Sequence, residues 1–120
     1  MKGKEIKLIK YLLDAEGNML VDKEDKELLL PAWSLQEKGY VKTKPTNFEY
    51  WQISLTREGC LPAKSMLDKD IEEALKAKTE LNKYSGDWTN LMRKTIDDII
   101  ERDKKLLDKL KKIEVCKGIL

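Results

Sequence analysis

Residues 35–59 constrain this chain more than any other stretch. Leu35-Gln36-Glu37-Lys38-Gly39-Tyr40-Val41 reads as the end of a helix stopped by glycine and turned into a strand. Tyr40, Val41 and Thr43 are β-prone with lysines between them, and Pro45-Thr46-Asn47 is turn chemistry. From Phe48 to Thr56, Tyr50, Gln52, Ser54 and Thr56 alternate with Trp51, Ile53 and Leu55, the mark of a half-buried strand. The pair predicts a hairpin, and Thr56 is placed to cap a new helix.

The segments before it are helical. Over residues 4–15, Ile6, Leu8, Ile9, Leu12 and Leu13 share one side, and Gly17-Asn18 ends the helix. Lys7 and Lys10 break the apolar run at helical spacing, so the start reads as an amphipathic helix, not a secretion signal. Met19-Leu20-Val21 predicts a short strand, and Asp22 is placed to cap the next helix. Pro31 disfavours helical geometry at Leu30 and suits a first helical position, which predicts two short helices over residues 23–29 and 31–38.

Residues 63–115 contain no proline. Leu67, Ile71, Ala74, Leu81 and Trp88 form one stripe at 3-4 spacing; Met92, Ile96, Ile99, Leu106, Leu110 and Ile113 form a second, widened by Ile100 and Leu107. Ser85-Gly86-Asp87 is either a turn between two helices or part of one unbroken helix with Gly86 inside it; the sequence leaves both open. The organisation expected is a module over residues 1–62 and a helical dimerisation region over 63–120, coiled coil or hairpin. A module of that size cannot cover both the stripe and its own core. Homodimerisation through Leu81, Trp88, Met92, Ile96, Ile99, Leu106 and Leu110 is therefore expected; the alternative is a helix folded back over its own module.

Composition narrows the chemistry. The chain has 120 residues, 41% apolar and 38% charged, and no histidine, which removes the commonest general base and a leading metal ligand. No Gly-x-Ser-x-Gly, Cys-x-x-Cys or phosphate-loop pattern occurs, so no enzyme, metal or cofactor is expected. No run approaches the ~20 apolar residues of a membrane span. Cys60 and Cys116 are expected as reduced thiols in a cytoplasmic protein.

Three pieces in order resemble winged-helix regulators, most closely the PadR-like group: Leu30-Pro31-Ala32, Leu35-Gln36-Glu37-Lys38-Gly39-Tyr40-Val41, and Leu55-Thr56-Arg57-Glu58-Gly59. The resemblance covers about residues 5–60. It implies a mainly α fold with a small β-wing, a winged helix-turn-helix followed by a long C-terminal helix or helical hairpin that dimerises. It also implies a homodimeric transcription regulator that binds double-stranded DNA. Ser34 and Gln36 would then read bases, with Lys38, Lys42, Lys44 and Asn47 along the backbone.

Charge sets a rival beside that expectation. Residues 1–62 carry ten Lys/Arg and ten Asp/Glu, and residues 22–38 hold three lysines against five acids. An acidic approach repels a phosphate backbone. A protein-interaction or scaffold module of the same architecture, without DNA binding, is the alternative, with the hairpin lysines as solvated edge-strand charges. The basic residues of 102–105 and 109–112 read as a solvated helix face. Trp51 and Trp88 read as core or seam, whereas the direction of Trp33 is undetermined.

Overall fold

The computed structural model describes residues 1–47 and 49–120. It is mainly helical with one small antiparallel sheet. Helix α1 spans Gly3–Asp14, β1 Asn18–Asp22, α2 Lys26–Glu37, β2 Val41–Pro45 and β3 Tyr50–Leu55. A 3-10 turn, Arg57–Gly59, leads into α3 (Cys60–Leu81); α4 (Asp87–Lys112) and a second 3-10 turn, Glu114–Cys116, complete the order. No helix among the described residues is long and apolar enough to cross a membrane.

The sheet has the order β1-β3-β2, with β3 in the centre. Register pairs Ile53 with Met19 on one side and Thr43 on the other. Side chains alternate across a strand, so Val21, Val41, Ile53 and Leu55 turn inward and are buried. Lys42, Lys44, Gln52, Ser54 and Leu20 occupy the other face, as the hairpin pattern predicts. The buried sheet face meets Leu8, Ile9, Leu12 and Leu13 of α1 and Leu29, Ala32 and Leu35 of α2.

Helix α1 ends where Glu16 and Gly17 take positive φ, the Gly17 amide donating to the Leu12 carbonyl at 2.8 Å. A β-carbon on Gly17 would sit 3.1 Å from Ile113, so the C-terminal segment packs on this turn. The next helix begins later than expected. The Asp22 side chain accepts from the Glu24 amide, and Asp25 is the cap, its side chain accepting from the Leu28 amide.

The two short helices expected around Pro31 are one. Pro31 lies inside α2, beyond its first turn, and forgoes the amide hydrogen bond that the Glu27 carbonyl would take. The helix stays intact because Leu29, Ala32 and Leu35, almost wholly buried, hold both halves against α1 and the sheet. Between β1 and β2 there is therefore no helix–turn–helix pair among the described residues. Pro62, by contrast, stands in the first turn of α3, where a missing amide costs nothing.

The C-terminal region settles as a hairpin. Gly86 adopts φ 137°, a conformation closed to residues with a β-carbon, and α4 runs back along α3. Arg93 caps the end of α3 by donating to the Leu81 and Tyr84 carbonyls, and Lys78 pairs with Asp97 at 2.8 Å across the two helices. The lower half of α4 returns to the body, burying Leu106 and Leu110 in the same core as α1 and α2, and Ile113, just past the helix, joins them. The boundary drawn at residue 62 falls inside α3. The expectation of two free thiols is not met: Cys60 and Cys116 form a disulfide that pins the C-terminus to the start of α3. Charge was silent about this pairing because 56 residues separate the two cysteines and only the hairpin's return brings them together.

Where body and hairpin join, Lys10 reaches Asp70 at 2.9 Å and Asp103 at 3.3 Å. Asp103 is fully buried, and the ammonium offsets its charge without donating a hydrogen bond. Lys109 closes the same seam on Asp14 at 2.7 Å. Outward of this cluster α3 carries no fully buried residue before Leu81, so the hairpin ends form an arm. The radius of gyration is 16.4 Å, against about 14 Å for a compact chain of this length, and the longest extent is 54 Å.

Candidate functional site

The six residues expected at a DNA interface are divided by the fold. Ser34 and Lys38, on the last turns of α2, both face Glu5 of α1. The Ser34 hydroxyl donates to Glu5 at 3.2 Å and the Lys38 ammonium at 3.0 Å. Glu5 is 2% exposed and also accepts from the Lys2 amide. Burial pushes its carboxyl pKa up, but the Lys2 amide, the Lys38 charge and the Ser34 hydroxyl outweigh it, and the pKa is lowered. Lys38, itself exposed, thus directs its ammonium to a buried carboxylate of its own chain.

Gln36 is similarly engaged. Its side-chain oxygen accepts from the Thr43 amide at 2.7 Å and from the Thr43 hydroxyl, occupying the outer edge of β2. An edge strand with its amide satisfied is protected against pairing with another chain. Asn47 builds the hairpin turn by accepting from the Glu49 and Tyr50 amides. Of the six, only Lys42 and Lys44 are exposed cations with no acidic partner among the described residues. Register sets them beside Ser54 and Gln52 on the open sheet face.

The exposed face of α2 was not read from the sequence. Leu30 is 59% exposed and Trp33 39%, and helical spacing aligns them between Lys26 and Glu27 at one end and Glu37 at the other. Trp33 packs edge-to-face on Trp51 of β3, centroids 6.1 Å apart. The direction of Trp33, open from the sequence, is therefore outward over the sheet. A signal for this face existed: Leu30 lies off the stripe of Leu29, Ala32 and Leu35. The expected break at Pro31 concealed it.

The seven residues expected at a dimer seam also separate. Leu106 and Leu110 lie in the chain's own core, and Leu81 is buried near the arm's tip, where Arg93 binds its carbonyl. Ile96 and Ile99 are half-buried along the hairpin. Trp88 and Met92 are exposed, and Tyr84 and Leu91 join them at the tip. A 3.6-residue repeat aligns Trp88, Met92, Thr95 and Ile99 along one flank of α4. The uncovered apolar surface is thus confined to the outer half of the stripe. Periodicity cannot make that distinction, because it reports the face of a helix and not how far a neighbour extends along it.

Among the described residues, no three Cys, Asp or Glu side chains converge as a metal cage requires. Comparison of the chain with protein-family models, curated proteins and solved structures finds no match.

Proposed function

We propose that this chain is a winged-helix protein-interaction module that self-associates through its helical arm. The observation that carries the reading is the exposed face of α2. A duplex-reading helix presents cations and polar groups to the groove; this one presents Leu30 and Trp33, with Lys26 and Glu27 at one end and Glu37 at the other. Exposed aromatic and aliphatic side chains ringed by charge are the composition of a protein contact. The arm contributes the second contact. Two arms laid antiparallel would cover Tyr84, Trp88, Leu91 and Met92 in a four-helix arrangement.

Sedimentation tests the association. A dimer is expected, and Trp88→Ser with Met92→Ser should convert it to a folded monomer whose melting temperature no longer depends on protein concentration. A parent chain that sediments as a monomer at micromolar concentration overturns the self-association.

Lys42 and Lys44 favour a second reading, a dimeric DNA-binding regulator whose hairpins meet the phosphate backbone. Titration against mixed-sequence duplex separates the two. Affinity falling steeply between about 50 and 200 mM salt, and abolished by Lys42→Glu with Lys44→Glu, would replace the first reading with the second. No binding at the lower salt supports the protein-interaction module.

A further inference from the structure

The two edges of the sheet are not equivalent. Along an antiparallel pair, hydrogen-bonded and non-bonded positions alternate. The Lys23 amide donates to the Glu49 carbonyl and the Leu55 amide to the Gly17 carbonyl, so the odd-numbered residues of β1 serve β3. Asn18, Leu20 and Asp22 therefore turn their backbone groups outward. On β2 the same alternation turns Val41, Thr43 and Pro45 outward, because Tyr40 and Thr46 bond to Thr56 and Tyr50. There Gln36 takes the Thr43 amide, and Pro45 has no amide to offer. Nothing comparable blunts β1. Among the described residues no group bonds the outward amide or carbonyl of Leu20.

The side chains beside this open edge define what fits it. Leu20 is 61% exposed on the outer sheet face. Asp22 lies two residues on and so on the same face. It accepts from the Glu24 amide and has no cationic partner among the described residues. On the inner face, Met19 forms one wall of a hollow of about 360 Å³. Tyr11 of α1 and Leu28 of α2 are its other apolar walls, and Lys7, Asp25 and Glu27 complete the lining. The sheet contributes to this hollow through β1 alone.

A row of outward amides and carbonyls at strand spacing is matched, group for group, by another extended backbone. We propose that β1 takes up an extended segment of a partner protein as a fourth strand, on a surface separate from both the α2 face and the arm's tip. Antiparallel pairing, the stronger kind per residue, sets the order of the segment. A basic residue faces Asp22, and an apolar one covers Leu20 two positions later. The next residue, on the other face, enters the hollow beside Met19. A second copy of β1 does not meet these demands. Its inward residues, Met19 and Val21, are already packed in its own core, which leaves the hollow unfilled. Paired about Leu20, it would also bring Asn18 to Asp22 instead of a cation.

The test uses the full chain and the synthetic peptide Gly-Lys-Thr-Val-Leu-Thr-Gly, blocked at both ends, followed by NMR. The Leu20 amide should exchange rapidly with solvent in the free protein and slowly when peptide is bound, with shifts at Met19. Leu20→Pro removes a donor that the β1–β3 ladder does not use and should abolish binding. Asp22→Asn keeps the acceptor for the Glu24 amide and should weaken binding about threefold at low salt. That difference should vanish for the peptide with Thr in place of Lys. A Leu20 amide already protected in dilute free protein, no slowing by millimolar peptide, or equal affinity of the parent and either variant overturns the proposal. So do shifts at Met19 without slowing at Leu20, which would assign the hollow to a ligand that adds no strand. Protection of Leu20 that rises with protein concentration in the absence of peptide would assign the edge to a second copy and equally overturn it.

Discussion

The Thr56 hydroxyl donates to the Gly39 carbonyl at 2.6 Å and accepts from the Gly59 amide at 3.2 Å. The Thr56 amide also donates to Tyr40. The end of α2 and the exit of the sheet, 17 residues apart, are thus one joint. The two glycine-bearing segments that stand out in the sequence do so because they meet.

This joint leaves no room at Gly59, where a β-carbon would collide with the Tyr40 carbonyl and crowd Leu55. Gly59→Ala should cost about 1–3 kcal/mol by overpacking. Thr56→Val, which keeps the shape and removes both hydrogen bonds in a buried position, should cost a similar amount. Urea midpoints measure both. Unchanged midpoints would mean that the joint is not formed in solution.

The disulfide encloses the whole arm in a loop of 56 residues. Closing a loop of that length restricts the unfolded chain by about 4 kcal/mol. Replacing Cys60 and Cys116 with alanine should lower stability by that order, and reductant should then have no further effect on the melting temperature. The C-terminal 3-10 turn should lose hydrogen-exchange protection first.

Lys10 stands between two carboxylates, one of which, on Asp103, is fully buried. Lys10→Met strands that charge and should cost about 3–5 kcal/mol. Lys10→Met combined with Asp103→Leu should recover most of the loss, because the buried charge leaves with its partner. A double-mutant cycle on chemical denaturation reads the coupling; additive losses would show that the two are independent.

Glu5 gives stability a pH dependence. Its pKa is lowered on folding from a starting value of 4.5, so the ionised form is favoured in the folded protein. The stabilisation is complete above about pH 4.5 and is lost as pH falls through the lower, folded-state value. Glu5→Gln should destabilise the protein near neutrality. The gap between the two proteins should narrow in the acid range, as followed by thermal melts from pH 7 downward.

Much of the local structure was legible in single residues. Gly17 and Gly39 mark helix ends because only a residue without a β-carbon turns the chain there cheaply. The alternation from Trp51 to Leu55 marks β3, and Thr56 its exit. Pro31 misled, because a proline's local penalty can be overcome by burial of Leu29, Ala32 and Leu35 on either side of it. Local rules weigh only the penalty.

The candidate contacts were less legible. Ser34, Gln36, Lys38 and Asn47 have the right chemistry for binding, but whether a polar group faces a ligand or its own chain depends on what lies opposite. Glu5, 29 residues before Ser34, decides that for two of them.

By itself the sequence determined α1 and its buried side, the three strands with the inward residues of β3, and the net neutrality of the first 62 residues. Those properties follow from backbone sterics, from side-chain periodicity and from counting charges. Tertiary structure alone decided that α2 is one helix, that the chain turns at Gly86, that Cys60 meets Cys116, and that only the outer half of the apolar stripe stays exposed. Each of these rests on contacts between residues far apart in the chain, whose energies no local pattern contains.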